Sequence, residues 1–299
     1  MGTKSKVKTN KFLVFLLHLI VLSVFFNACF AEPLMPKEGK QKKTSGRLVI
    51  DFSNSSEGYV MVKAKPSGKK LKLLVTHDGI ELQYDLNSNG IYEVFPLQYG
   101  NGKYIFSLFE QVKGQNYKKL NSTAIQVDMP DPTRCFLYPN QYINYTAETP
   151  AVVFAQELCE GLTDPEEKVK KIYHYISVDD DKTETWIAEN GQQQTLLVER
   201  ISFTESGIRS KLPEIDKVFE TNKGACKDVS GLMVAMLRSV GVPAKYVVGK
   251  ANGNEHAWVI ILINDEELEI DPQDRITNPS LDELRIHQEM IDYRAERWY

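Results

Sequence analysis

Three residues of complementary chemistry, Cys226, His256 and Asp271, occur in an order that could support covalent catalysis. Gly224-Ala225-Cys226-Lys227-Asp228 stands directly ahead of Val229–Val240, a run that is apolar around most of its circumference and is ended by Gly241-Val242-Pro243. The pattern predicts a buried helix with Cys226 at its very start. Unpaired N–H groups and the positive end of the helix dipole favour a thiolate at such a position. Gly224 allows a tight entry and the close approach of a substrate backbone. Ala244–Val248 reads as a strand, and Glu255-His256-Ala257-Trp258 leads into the apolar run Val259–Ile263. Asn264-Asp265-Glu266 marks a turn, after which Leu268-Glu269-Ile270 alternates into Asp271-Pro272. Two strands joined by that turn bring His256 and Asp271 together at one end of a hairpin.

A helix-start cysteine with a histidine and an aspartate on adjacent strands supplies the parts for acyl transfer without cofactor or metal. Cys226 is the candidate nucleophile, His256 the base and then the acid that protonates a leaving amine, and Asp271 the group that orients the imidazole. The Cys226 N–H is the first candidate donor to an oxyanion. Asn222 is within reach as a second, whereas Glu220 as a carboxylate cannot donate. Each of the three has an ordinary use alone: a packed thiol, a strand-end histidine, a turn aspartate. Their conjunction outweighs those uses. Trp258 reads as packing beneath the site rather than substrate contact, and Asp228 as a helix cap rather than a substrate ligand.

Gly-x-Cys-x-Asp, an apolar helix ending Leu237-Arg238-Ser239-Val240-Gly241-Val242-Pro243-Ala244-Lys245, His256-Ala257-Trp258 and Asp271-Pro272 together resemble the bacterial transglutaminase-like family. The similarity spans roughly residues 150–275, and Leu212-Pro213-Glu214-Ile215-Asp216 resembles the approach to that family's cysteine. The resemblance implies a papain-like α+β fold with Cys226, His256 and Asp271 as catalytic triad. The sequence departs from the family at Val259-Ile260-Ile261 and at Gln273, positions that bear on substrate choice.

The elements that must position these residues form the rest of the chain. From Arg47 to about Met129, short alternating runs separated by turn signals such as His77-Asp78-Gly79 and Gly100-Asn101-Gly102 predict about seven strands of a small Ig-like antiparallel β-sandwich, over residues 47–130. This module reads as a presentation or binding element. Asp85–Asn89 reads as a turn rather than a calcium loop, since the distal Glu spacing is absent. Residues 131–299 form the expected catalytic domain. Thr149-Pro150 starts one helix, and Thr163-Asp164-Pro165-Glu166 caps another with Val169, Ile172, Tyr173 and Ile176 on one face. His174 falls off that stripe, toward solvent. Residues 177–212 read as a long polar loop with one short helix, and Asp179-Asp180-Asp181 as solvated, with a weak cation site as the alternative. Cys135 and Cys159 either pair outside the cell or stay buried thiols. The fold class is therefore α+β, a papain-like transglutaminase core C-terminal to a small all-β sandwich, after an export signal.

The chain has 299 residues, 42% hydrophobic, 10% aromatic and 25% charged, which excludes a collagen-like or wholly disordered chain and provides for a core. Residues 1–31 carry Lys4, Lys6, Lys8 and Lys11 and no acid, so the remainder has 32 basic against 40 acidic side chains, net −8. A body this acidic would repel a phosphate backbone, and nucleic acid is not an expected partner. The basic start and the apolar run Phe12–Phe26 predict an export signal. Three endings stay open: cleavage before Glu32, lipidation at Cys29 after Phe26-Asn27-Ala28, or an uncleaved anchor. Residues 32–46 follow as a Lys- and Pro-rich tether. The expected protein is an exported, envelope-associated or secreted thiol enzyme. It would act on amide or peptide carbonyls of a cell-envelope or extracellular polypeptide, as protease, amidase, deamidase or amine cross-linker. The rival reading is a catalytically silent binding module of the same fold at the cell surface.

Overall fold

The computed structural model describes residues 32–187, 193–198, 200–204, 212–273, 280, 282–283 and 290–299, with the backbone alone described over 179–198. The expected export signal at 1–31 lies outside the described residues. Among the described residues no helix is long and apolar enough to cross a membrane. Residues Pro33–Tyr299 form one compact unit.

Its first part is all strand: β1 (Lys42–Ser45), β2 (Leu48–Asp51), β3 (Tyr59–Ala64), β4 (Leu71–His77), β5 (Ile80–Leu86), β6 (Glu93–Pro96), β7 (Gly102–Lys113) and β8 (Asn116–Val127). Strands β2–β7 overlap the alternating runs of the sequence, whereas β8 begins eight residues before the run expected at Ala124–Val127. β4 buries every second residue, Leu71, Leu73, Val75 and His77, the period of a strand with one covered face. Two antiparallel sheets result, in the orders β1-β2-β3-β6 and β5-β4-β7-β8. β1 lies within the Lys- and Pro-rich stretch. It pairs with β2, and Lys43 reaches across to donate to the Ala124 carbonyl at 2.8 Å.

After a 3-10 segment at Pro132–Leu137 come α1 (Pro150–Leu158) and α2 (Pro165–Ser177). Asp164 caps α2 by accepting the Glu166 N–H at 3.0 Å, and Val169, Ile172, Tyr173 and Ile176 are buried along its inner face. His174 is half-buried rather than fully solvent-facing. The polar stretch that follows departs from expectation. Instead of a loop with a short helix, β9 (Asp179–Ile187) and β10 (Gln193–Val198) form an antiparallel ribbon, and β11 (Ser202–Phe203) follows. Apolar periodicity could not reveal a ribbon this polar. Its alternating Thr183 and Thr185, followed by Trp186 and Ile187, are residues that favour strand.

The remaining elements are α3 (Ile215–Thr221), β12 (Lys223–Gly224), α4 (Cys226–Ser239), β13 (Ala244–Ala251), β14 (Asn254–Ile263), β15 (Glu266–Ile270) and β16 (Tyr293–Trp298). The last four make an antiparallel sheet in the order β15-β14-β13-β16. α4 is buried along nearly its whole length, as its circumferentially apolar sequence requires. A glycine inside it, Gly231, costs about 1 kcal/mol of helix propensity. It is needed because a Cβ there would stand 2.5 Å from the Cβ of Pro213. One apolar core runs continuously from Leu48, Leu73 and Phe106 in the first two sheets to Val229 and Leu237 of α4.

Arg238, 1% exposed, ties the end of α4 to its surroundings. Its guanidinium donates to the main-chain oxygens of Ala244 (2.9 and 2.7 Å), Tyr138 (2.8 Å) and Tyr299 (2.7 Å). Burial lowers its pKa to about 10. Arg238→Met would leave those acceptors unsatisfied, so a loss of about 3 kcal/mol in urea unfolding is expected.

Candidate active site

α4 begins at Cys226, so the N–H of this residue has no carbonyl one turn earlier in the helix. The entry is braced by Asp228, which is buried. Its carboxylate accepts the N–H of Ala225 at 3.1 Å and that of Glu214 at 3.0 Å, and pairs with the ammonium of Lys227. Asp228 is therefore the helix cap that the sequence suggested. Lys227, only 2% exposed, was not singled out from sequence and places a buried cation next to the cysteine. The preceding strand β12 pairs in parallel with β11, which fixes the approach to Cys226 from the other side. Asn222 ends α3 in the left-handed conformation (φ 52°, ψ 36°), with an exposed side chain. Cys226 is half-buried, while Cys135 and Cys159 are buried free thiols, which decides between the two readings left open for that pair.

β14 carries His256 and β15 runs into Asp271; the register Val259↔Ile270 sets these two residues at the same end of the hairpin. His256 Nε2 hydrogen-bonds the Asp271 carboxylate, and Cys226 lies close enough to act on the charge of the same ring. The structure thus brings together all three residues the sequence nominated. A buried hydrogen bond fixes the two elements against each other: Ser230 Oγ, on α4, donates to the Ala257 carbonyl of β14 at 3.0 Å.

Asp271 is held from several directions. The Gln273 N–H donates to Oδ1 at 2.9 Å, the Tyr293 hydroxyl lies 3.4 Å from Oδ2, and the Tyr173 hydroxyl donates to the Asp271 carbonyl at 3.3 Å. Tyr173 was legible only as part of the apolar stripe of α2. Tyr293 follows Asp271 at a distance that carries no motif, and only the pairing of β16 with β13 reveals it. Trp258 is fully buried and lies between its neighbours, 6.2 Å from the His256 ring at 13° and 4.9 Å from Tyr293. It is a packing residue. Gly249, the cross-strand partner of His256, is required by close approach: a Cβ there would collide with the Arg294 carbonyl and come within 2.9 Å of the Trp258 ring.

Burial opposes a charge on His256, but hydrogen bonds and charge from Asp271 and then Cys226 prevail and raise its pKa from 6.5 to about 10. Because the folded value exceeds the unfolded one, the stabilisation is complete below about pH 6.5 and is lost as pH rises through about 10. Asp271→Asn is expected to move the His256 midpoint in an NMR titration down toward 6.5, and to cancel that part of the stability difference.

The sequence matches the family described as the transglutaminase-like superfamily over residues 153–272. That segment is a transglutaminase-like domain. It contains α4, β13, β14 and β15, and so every residue of the Cys226–His256–Asp271 cluster. Among solved structures, the chain is similar to a candidate cysteine protease from Cytophaga hutchinsonii, at 15% identity and TM-score 0.37, covering 79% of each chain. It is also similar to the periplasmic domain of TgpA from Pseudomonas aeruginosa bound to ethylmercury, at 15% identity and TM-score 0.35, covering 83% of this chain and 79% of that one. No curated protein matches the chain.

Proposed function

We propose that the chain is an exported thiol enzyme that opens amide or peptide carbonyls through an acyl-enzyme on Cys226. The observation that carries this reading is the imidazole of His256, hydrogen-bonded to Asp271 and close enough to Cys226, at the start of a helix, for the two to influence each other's charge. A raised His256 stays protonated at neutral pH, so its imidazolium is available to pair with a thiolate on Cys226. The thiolate attacks the carbonyl carbon, and the oxygen takes the negative charge within reach of the Cys226 N–H. The imidazolium then gives its proton to the nitrogen as the C–N bond breaks, leaving a thioester and a free amine. Neutral His256 next takes a proton from water, whose hydroxide equivalent attacks the thioester; the sulfur leaves as thiolate beside the imidazolium, and the carboxylic acid released ionises to solvent. Asp271 keeps the ring aimed and stabilises its charged form throughout.

Water is the acceptor in this reading. Export rests on the basic and apolar N-terminal sequence, which places the substrate among envelope or extracellular polypeptides. Incubation with glutamine- and lysine-bearing peptides is expected to give a transient adduct on Cys226 and products one water heavier by intact-mass analysis. An isopeptide product would overturn the hydrolytic form, and no adduct on any peptide would favour a silent binding module.

A further inference from the structure

The described residues border a cavity of about 750 Å³ to which the chemistry above assigns no role. Strands β5, β6 and β16 each end a sheet, and each lends it a charged side chain: Asp85, Glu93 and Arg297. An edge strand leaves main-chain N–H and C=O groups for an extended peptide to take up as an added strand. Part of the lining is aromatic. Tyr142 stacks on Tyr299 at 3.5 Å and lies 6.4 Å from Tyr246 at 28°. The wall at Val248 is one residue from Gly249, the cross-strand partner of His256. Leu212, also in the wall, lies two residues before Glu214, whose N–H is held by Asp228 at the start of α4.

One partly buried charge in the lining is unanswered. Glu93 accepts the Asn87 N–H at 2.7 Å and the Gln141 amide at 3.0 Å, but meets no cation among the described residues. Burial raises its pKa. Asp85 differs, with the Lys72 ammonium 3.6 Å away, and Arg297 stands apart on β16. A partly buried carboxylate without a counter-charge is costly, and a cation arriving with a ligand relieves that cost.

We propose that this cavity docks an extended polypeptide segment bearing a lysine or arginine, which pairs with Glu93 while the main chain runs along the terminal strands. The inference deepens the acyl-transfer reading by assigning the β-strand region a part in substrate selection. The test uses the full chain as Cys226→Ala, so that binding is read without chemistry. The probes are fluorescein-labelled Gly/Ala/Thr peptides of about ten residues with a central arginine or citrulline. Fluorescence anisotropy is expected to show the arginine peptide binding about tenfold more tightly, and Glu93→Gln to bring that ratio to about one. Equal binding of the two peptides on the Glu93 protein overturns the proposal, as does a preference that survives Glu93→Gln. Saturable binding of a neutral hexasaccharide in place of either peptide would overturn it in favour of a carbohydrate site. Should peptides bind while Cys226 proves inert, the docking site stands and the acyl-transfer reading falls.

Discussion

Cys226→Ala is expected to abolish the covalent adduct with peptide substrates and to lower amide turnover by about 10⁶, because the nucleophile of a triad acts as a unit with its base. The other thiols among the described residues cannot substitute for it. Cys135 is buried, donates to the Pro132 carbonyl at 3.1 Å and has its pKa pushed up to about 12, while burial lifts Cys159 to about 11. Neither presents a useful thiolate at neutral pH. The fold should survive, since Cys226 is only half-buried at the first turn of α4 and the cap on that turn comes from Asp228. The checks are adduct formation by intact mass and unchanged urea unfolding. Turnover that survives in the alanine variant would place the nucleophile elsewhere.

The second large effect is expected at His256. His256→Ala removes the cation beside Cys226 and, with it, the group placed to protonate a leaving nitrogen. Loss of general acid–base catalysis alone costs about 10²–10⁴ in turnover. The thiol should suffer independently of any substrate. An ordinary thiol with a pKa near 8.5 is about 0.3% thiolate at pH 6, so alkylation there should fall by about 10² once the imidazolium is gone. Asp271→Asn should fall between wild type and His256→Ala, because the ring keeps its contact with Cys226 while losing its carboxylate.

Much of this geometry was legible in the sequence because the signals are local. A glycine-led cysteine before an apolar run specifies a helix start, and alternation around Asn264-Asp265 specifies a hairpin. The hairpin alone brings His256 and Asp271 together before any tertiary contact is considered, whereas the association of Cys226 with them was expected from the family resemblance. Strands β2–β7 were also visible from their alternation and turns, whereas the first eight residues of β8, largely exposed or half-buried, carry no such pattern. What local pattern cannot express is pairing at long range. β16 joins β13 across an intervening segment and brings Tyr293 to Asp271. Tyr173 reads as one more apolar residue of α2 until its hydroxyl is seen on the Asp271 carbonyl. The β9–β10 ribbon lacks the apolar alternation that announces a strand, so only its main-chain pairing defines it. Lys227 would ordinarily be assigned to solvent, and its burial depends on Asp228 supplying a counter-charge.

The proposed acyl transfer depends on a thiolate–imidazolium pair between Cys226 and His256. It is tested most directly by the rate of iodoacetamide alkylation at Cys226, mapped by peptide mass from about pH 5 to about pH 9, in wild type and His256→Ala. Cys135 and Cys159 serve as internal references in the same sample. The wild-type rate is predicted to be already high near pH 6 and to change little up to about pH 9, while His256→Ala rises about tenfold per unit toward the ordinary thiol range. Two superimposable profiles, both rising as an unassisted thiol does, would contradict the account.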